Sequence, residues 1–385
     1  MSSICIISQR YPCEANPSQH VFVKKIAEAI ADQNIDVTVI VPTQSKEKIY
    51  NNTPVYTETK TKNGNTVKVY RPRYFHIATR NIGPIRLGLI TIQQWVHACV
   101  KIIEENHLDF DCFYGHFVCL AGICACKLGK KYNKRAYIAY GECDNTTLEQ
   151  YGMNNVKRDI ANVSGIVAVS TKNKNALVDT GVVSADKVKV FVNGIDRDIF
   201  HPCDRKQARA KWGLSENDFV ISFVGQFIER KGIIKINEAV SRIDGVKALY
   251  AGKGPDQPEG DHIVFKGVLE SKEIPWLLSA SDVFVFPSLS EGCSNAILEA
   301  IGCGVPIIAA DLPFNYDILD DKNSILVDGT SIEQIESAIR RLKDDSNLCK
   351  KMREESILKS EKLDINLRAI NILRFVGLMD TNAQS

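Results

Sequence analysis

Residues 281–310 read SDVFVFPSLSEGCSNAILEAIGCGVPIIAA, and this stretch decides the fold. Asp282 to Pro287 is a short apolar run of Val and Phe, the pattern of a strand buried on both faces. Ser288 to Ser294 is small, polar and glycine-containing, which predicts a loop. Asn295 to Gly302 carries helix formers, and Gly304 with Pro306 stops them. Val305 to Ala310 is the next strand. Strand, loop, helix, strand is the repeating unit of an open parallel α/β sheet. The loop that feeds the helix then lies at the carboxyl edge of that sheet. Such folds bind ligands there, and a helix N-terminus attracts anions.

Two carboxylates, Glu291 and Glu299, flank this turn. Positions eight apart on an ideal helix differ by about 80°, so both can face one pocket. Carboxylates accept hydrogen bonds from hydroxyl pairs, which a sugar or a ribose offers. The same spacing also fits a Glu placed by the helix dipole and a second, solvated Glu.

Working outward, Phe219 to Val224 is a strand followed by Gly225-Gln226-Phe227-Ile228-Glu229-Arg230-Lys231-Gly232. A glycine at a strand end admits close approach of a ligand, and Arg230 with Lys231 offers two cations to a diphosphate. Ala248 to Gly252 is a strand leading into Gly252-Lys253-Gly254-Pro255, and Ile263 to Phe265 is followed by Gly267 and Val268. Ser271 to Ser279, Ile332 to Leu342 and Ser346 to Ser360 read as helices, with a strand over 323–328. The last helix, Asp364 to Met379, repeats Ile365, Ala369, Ile372, Val376 and Met379 at helical spacing.

The first half opens with strand Ile4 to Ser8, a Pro/Asn-rich loop to Ser18, helix His20 to Gln33 and strand Val37 to Val41. This βαβ unit starts a doubly wound sheet. No GxGxxG follows its first strand, which argues against a dinucleotide oxidoreductase. Asp111 to His116 is a strand, so His116 falls at a carboxyl edge, and Phe117 to Lys131 is the expected helix. Arg135 to Tyr140, Ser164 to Ser170 and Lys187 to Val192 are further strands, with helix Lys172 to Gly181 among them. Asn193-Gly194 favours a tight turn. Cys203 to Asp218 is polar and charged, the expected interdomain linker with a small helix.

A length of 385 residues allows two cores, and 44% hydrophobic with 24% charged residues is ordinary for a globular chain. No apolar run approaches ~20 residues, and the N-terminus lacks a signal-peptide layout, so a cytoplasmic protein is expected. The twelve cysteines do not fall into metal-ligand spacings and read as reduced, buried thiols. The net charge of +2 divides into +7 for residues 1–200 and −5 for the rest. Residues 60–86 hold seven Lys or Arg, no Asp or Glu, and interleaved Tyr74, Phe75, Ile77, Ile82 and Ile85. That composition fits a solvated hairpin, and equally a patch meeting anionic lipid at the inner face of a membrane. No nucleic-acid motif accompanies it.

The stretch with Glu291, Gly292, Asn295, Glu299, Ala300, Gly304 and Pro306 resembles the signature of retaining glycosyltransferase family 4. The likeness covers nearly the whole chain and is most specific over 219–310. It implies the GT-B fold: an α/β protein of two Rossmann-like doubly wound parallel-sheet domains facing a central cleft. The expected parts are an acceptor-binding domain over 1–200, a nucleotide-sugar-binding domain over 201–363, and a terminal helix, 364–385, crossing back to the first domain. By this resemblance Glu291 contacts the transferred sugar and Glu299 the ribose, and the backbone of Cys293, Ser294 and Asn295 faces the diphosphate. Lys231 and Gly232 match a Gly-Arg…Lys-Gly motif, with Gln226 where the family has Arg, so Arg230 is the substitute cation. Gly225, Gly252, Gly254 and Val268 join the donor side. On the acceptor side the resemblance implies His116, with Gln19 and His20 where the family has a glycine loop, and Tyr140 and Asp144 in a YGECD that stands for His-Gly-x-Asp.

The implied reaction moves a hexose-type sugar from a UDP or GDP sugar to a hydroxyl of a glycan or lipid-linked acceptor in surface-polysaccharide assembly. Arg230 and Lys231 would stabilise the leaving diphosphate, so neither a cofactor nor a metal is expected. A nucleotide-sugar epimerase of similar fold and an inactive sugar- or lipid-binding partner are the alternatives.

Overall fold

The computed structural model describes residues 1–75 and 87–380. Of the basic stretch, Ile77, Ile82 and Ile85 lie outside the described residues. The chain divides into two compact units: Met1–Phe191 with the segment from Ile365 on, and Val192–Asp364.

In chain order the strands of the first unit are β1 (Ser3–Ser8), β2 (Asp36–Ile40), β3 (Thr43–Gln44), β4 (Tyr56–Lys60), β5 (Thr66–Tyr70), β6 (Arg73–Tyr74), β7 (Cys112–His116), β8 (Arg135–Tyr140), β9 (Gly165–Ala168) and β10 (Val188–Val190). β3 and β6 form a separate pair, and the rest form one sheet in the order β10-β9-β8-β7-β1-β2-β5-β4. It is parallel except for β4, which folds back on β5 as a hairpin. Helices cover both faces, so its inner strands are buried on both sides, with Ile and Val dominating β1, β2 and β9 and aromatic residues entering β7 and β8. Helix Val21–Ala31 buries Val23, Ile26 and Ile30 against one face. The terminal helix Ile365–Val376 packs beside it, burying Ala369, Ile372, Leu373 and Val376 in the same core. Each buried Ile, Leu or Val side chain contributes about 1.5–3 kcal/mol. The Tyr137 hydroxyl also donates to the Val376 carbonyl at 3.2 Å.

The expected helix over Phe117–Lys131 starts later, at Ile123. Before it, Phe117 and Leu120 take positive φ, +47° and +61°, and the chain makes an irregular turn over Val118–Gly122. Close packing explains the turn. A Cβ on Gly115 would lie 2.5 Å from the Gly122 Cα, so the chain folds directly back onto the end of β7.

The second unit holds β11 (Phe219–Val224), β12 (Val246–Ala251), β13 (Ile263–Gly267), β14 (Val283–Phe286), β15 (Ile307–Ala310) and β16 (Ser324–Val327). Their order is β13-β12-β11-β14-β15-β16, all parallel. The stretch expected to link two domains, 203–218, is instead part of this unit. Its helix Arg205–Lys211 packs on helix Ile274–Ala280, and the buried Arg209 guanidinium binds Asp282 at 2.8 Å and three carbonyls. Ile195 and Phe200 belong to the same core, so the unit begins at Val192.

In both sheets the strand order reverses at one place. From β1 the chain goes to β2 on one side and returns to β7 on the other; from β11 it goes to β12 and returns to β14. The loops leaving the two strands at such a reversal diverge and leave a crevice at their carboxyl ends.

Candidate active site

In the second unit the reversal brings together the loop after β11 and the loop after β14. Ile221 of β11 pairs with Val283 of β14, so both loops start at one edge. The first ends in a short turn, Glu229–Lys231, and Gly232 follows it with φ +76°. A Cβ there would meet Pro287 at 2.9 Å, so glycine both turns the chain and lets the loops touch. They are joined at Leu289 N–H to Arg230 carbonyl, 3.0 Å, and by the Arg230 guanidinium on the Ser290 carbonyl.

Three donors converge on Oε1 of Glu291. Lys231 Nζ reaches it, Arg230 lies at 3.4 Å, and the Ser288 hydroxyl donates at 2.7 Å. Lys231 is also 4.8 Å from the centre of the Phe286 ring. Lys231 and Glu291 are 13% and 12% exposed, Arg230 38%. The first two thus interact where water screens poorly, and Arg230 keeps one side to solvent.

Helix Asn295–Gly302 begins where the sequence places it, with the Ser294 hydroxyl accepting from Ile297 N–H at 3.4 Å. Glu291 precedes the cap, so the expected 80° relation to Glu299 does not apply; Glu299 is half-buried in the second turn. Gly292 is buried, Cys293 half-buried and Asn295 exposed. Asn193 donates to the Asn295 side-chain oxygen at 3.0 Å and to the Cys293 carbonyl at 3.5 Å. Sequence reasoning gave Asn193 a turn role only. It also passed over Ser288, whose position three residues before Glu291 was the available signal.

Two glycines of this unit sit where no side chain fits. Cβ atoms on Gly252 and Gly254 would lie 1.8 Å from the Gly225 carbonyl oxygen and 2.1 Å from that of Phe227. The close approach they permit is therefore to the neighbouring loop. Phe227 N–H bonds the Lys253 carbonyl at 2.9 Å, and Gly252 N–H the Gly267 carbonyl at 2.7 Å. Gln226 is exposed on this loop, and Val268, after β13, is 66% exposed.

In the first unit the reversal gathers Gln19, His20 and His116. Their setting is aromatic: His20 lies 6.0 Å from Phe117, and His116 lies 6.2 Å from Phe22 and 5.3 Å from Tyr114, centre to centre. Gln19 accepts from the Tyr50 hydroxyl. Neither His116 Nε2 nor His20 Nδ1 has a hydrogen-bond partner, though both are buried. Burial, with Arg368 and His20 adding to it, pushes His116 down to about 3, so it is a neutral imidazole. Burial also lowers His20. Tyr140 is buried with its hydroxyl on Asn145 at 2.5 Å, whereas Asp144 is exposed and accepts from Thr146 N–H at 2.9 Å. Tyr140 thus directs its hydroxyl proton to Asn145.

All twelve cysteines are free thiols, and burial raises Cys112, Cys119 and Cys126 to about 12. Among the described residues no three His, Cys, Asp or Glu side chains group in a way that could hold a metal ion, and no helix is long and apolar enough to cross a membrane.

Two family profiles divide the chain: "Glycosyltransferase Family 4" over 19–199 and "Glycosyl transferases group 1" over 204–359. The chain is 24% identical over 351 residues to a putative teichuronic acid biosynthesis glycosyltransferase, TuaC, of Bacillus subtilis, covering 87% of each. A D-inositol 3-phosphate glycosyltransferase of Mycobacteroides abscessus is 28% identical over 193 residues, 45% of this chain and 43% of that protein. Among solved structures, sucrose-phosphate synthase of Thermosynechococcus elongatus superposes with a TM-score of 0.78 at 18% identity, covering 98% of this chain and 99% of that one. Anabaena HepE in complex with UDP-glucose gives 0.69 at 16% identity, covering 98% and 100%. At such identities these likenesses establish the fold, and it is GT-B.

Proposed function

Since the chain belongs to glycosyltransferase family 4, we propose that it moves a hexose from a nucleoside-diphosphate sugar, UDP- or GDP-linked, to a hydroxyl of a glycan or lipid-linked acceptor in surface-polysaccharide assembly, with retention of configuration. The observation that carries this reading is the convergence of Lys231, Arg230 and Ser288 on Glu291 beside a capped helix N-terminus. The teichuronic acid biosynthesis for which TuaC is named and the UDP-glucose in complex with HepE support the acceptor class and the donor class in turn.

Charge develops on the leaving diphosphate as the glycosidic bond breaks. Lys231, Arg230 and the N–H groups at the start of helix Asn295–Gly302 are the cations and dipoles available to meet it. The diphosphate draws the two cations from Glu291, and Glu291 then accepts from the sugar hydroxyls. Glu299 takes the ribose. A phosphate oxygen of the donor takes the acceptor proton, and the charge so handled requires no metal. His116, neutral, serves as a hydrogen-bonding group rather than a base.

The basic first half adds an anionic membrane surface as a contact. Ile49, Val55 and Phe75 are 54%, 46% and 61% exposed, and Lys46 lies 5.1 Å from the Phe75 ring centre. Incubating the purified protein with UDP- and GDP-sugars and lipid-linked or glycan acceptors, with the anomeric configuration of the product read by NMR, tests the reading. A retained glycoside supports it. Isomerisation of the donor alone would identify an epimerase, and no turnover of any donor a binding partner.

A further inference from the structure

The irregular turn after β7 is held from both neighbouring strand ends. On one side Gln9, just past β1, donates to the Cys119 carbonyl at 3.3 Å. On the other Glu142, just past β8, accepts from Val118 N–H at 3.1 Å through Oε1 and from Gly141 N–H at 3.1 Å through Oε2. The turn and its entry contain two residues in the left-handed region, Phe117 and Leu120. Such backbone persists only where its surroundings over-determine it. Phe117, just before the turn, directly follows His116 at the end of β7, and the loop that carries Glu142 and Asp144 directly follows Tyr140 at the end of β8. One carboxylate thus ties together the two segments that leave the strand ends carrying the expected acceptor-side residues.

We propose that Glu142 is a positioning residue of the acceptor side, its carboxylate clamping the Phe117–Val118 backbone to the Gly141 loop. The proposal rests on the reading of this pole as the place where the acceptor binds. Nothing in the family likeness required a carboxylate here; the residue stands at the variable position of the YGECD segment.

The groups around the clamp are consistent with a proton-sensitive tie. Burial raises the Tyr140 phenol and the Cys119 thiol, with Glu142 adding to both, and burial raises Glu142 itself, with Asp144 from its own loop adding a little. Lys172, from the following helix, is committed to the Cys143 carbonyl at 2.5 Å, and Asn173 to the Glu142 carbonyl at 2.7 Å. Burial is the largest effect and outweighs the backbone N–H groups that favour the anion, so the carboxyl is pushed up to about 7. Protonation turns one acceptor oxygen into a hydroxyl and weakens one of the two ties. The clamp is therefore closed above neutrality and loosened below it.

Protein labelled with 15N-valine and 15N-glycine tests this. The Val118 and Gly141 amide resonances are expected to titrate together with a midpoint near 7, and Glu142→Gln to abolish that titration. A titration left unchanged in the variant, or amide resonances that move neither with pH nor on Glu142→Gln, would overturn the proposal. Should Glu142→Gln fail to fold, Glu142→Asp keeps the charge on a shorter arm. Hydrogen exchange at Val118 at least ~10-fold faster than wild type is then expected, and an unchanged rate overturns the clamp. Absence of any nucleotide-sugar binding would count against the proposed function and leaves the amide titration to decide the clamp.

Discussion

Lys231 donates to the carboxylate of Glu291 across two loops that leave adjacent parallel strands, and the two side chains are 13% and 12% exposed. The pair is thus pre-assembled at the reversal of the sheet, where the proposed function has a diphosphate exchange places with the carboxylate.

Lys231→Ala removes the better buried of the two cations. Turnover is expected to fall by ~10²-fold or more, as loss of one preorganised charge does. Steady-state kcat with a saturating donor checks it, and an unchanged kcat rejects the assignment.

Glu291→Ala leaves Lys231 facing Phe286 without its anion, while Arg230 keeps the Ser290 carbonyl. Stripping one partner from a pair this sheltered is expected to cost on the order of 3 kcal/mol. Urea denaturation measures it, and a stability equal to wild type would show the pair to be idle.

The Gly254 Cβ position lies 2.1 Å from the Phe227 carbonyl oxygen. Gly254→Ala must push the two loops apart, at ~1–3 kcal/mol of strain, and donor affinity should fall with it. Calorimetric titration with the donor reads the change; identical affinity would place the donor away from these loops.

His116 is held neutral in the folded chain, with its affinity for a proton pushed down to about 3 against ~6.5 when unfolded. The unfolded chain therefore takes up a proton first as pH falls, and this site's contribution to stability is present above pH ~6.5 and lost below it. Replacing His116 by Gln should flatten part of the acid limb of a stability–pH curve. An acid limb of the same slope would show that His116 already carries its proton in the folded state.

Exposed Ile49, Val55 and Phe75 among lysines predict weak retention on vesicles containing anionic lipid, reduced by salt. Equal retention on neutral vesicles would argue against an electrostatic contact.

The parallel strands and the helix at Asn295 were legible because buried apolar runs, helix formers and a Gly304–Pro306 stop are local signals. The turn after His116 was not, because its cause is the contact of Gly115 with Gly122 and a carboxylate from another strand. Likewise 203–218 looks like a linker from its charge, since the burial of Arg209 depends on Asp282, far along the chain. Gly252 and Gly254 were legible only through the resemblance; what their missing side chains make room for is a neighbouring loop, which one sequence cannot specify.

The most direct test of the account is the binding of nucleoside-diphosphate sugars to wild type and Lys231→Ala, measured as thermal stabilisation across a UDP and GDP panel. A ligand at 100 times its Kd stabilises by about 2.7 kcal/mol. At least one donor should raise the melting temperature of wild type and shift the variant little at the same concentration. Equal shifts in both proteins would contradict a diphosphate cradle built on Lys231.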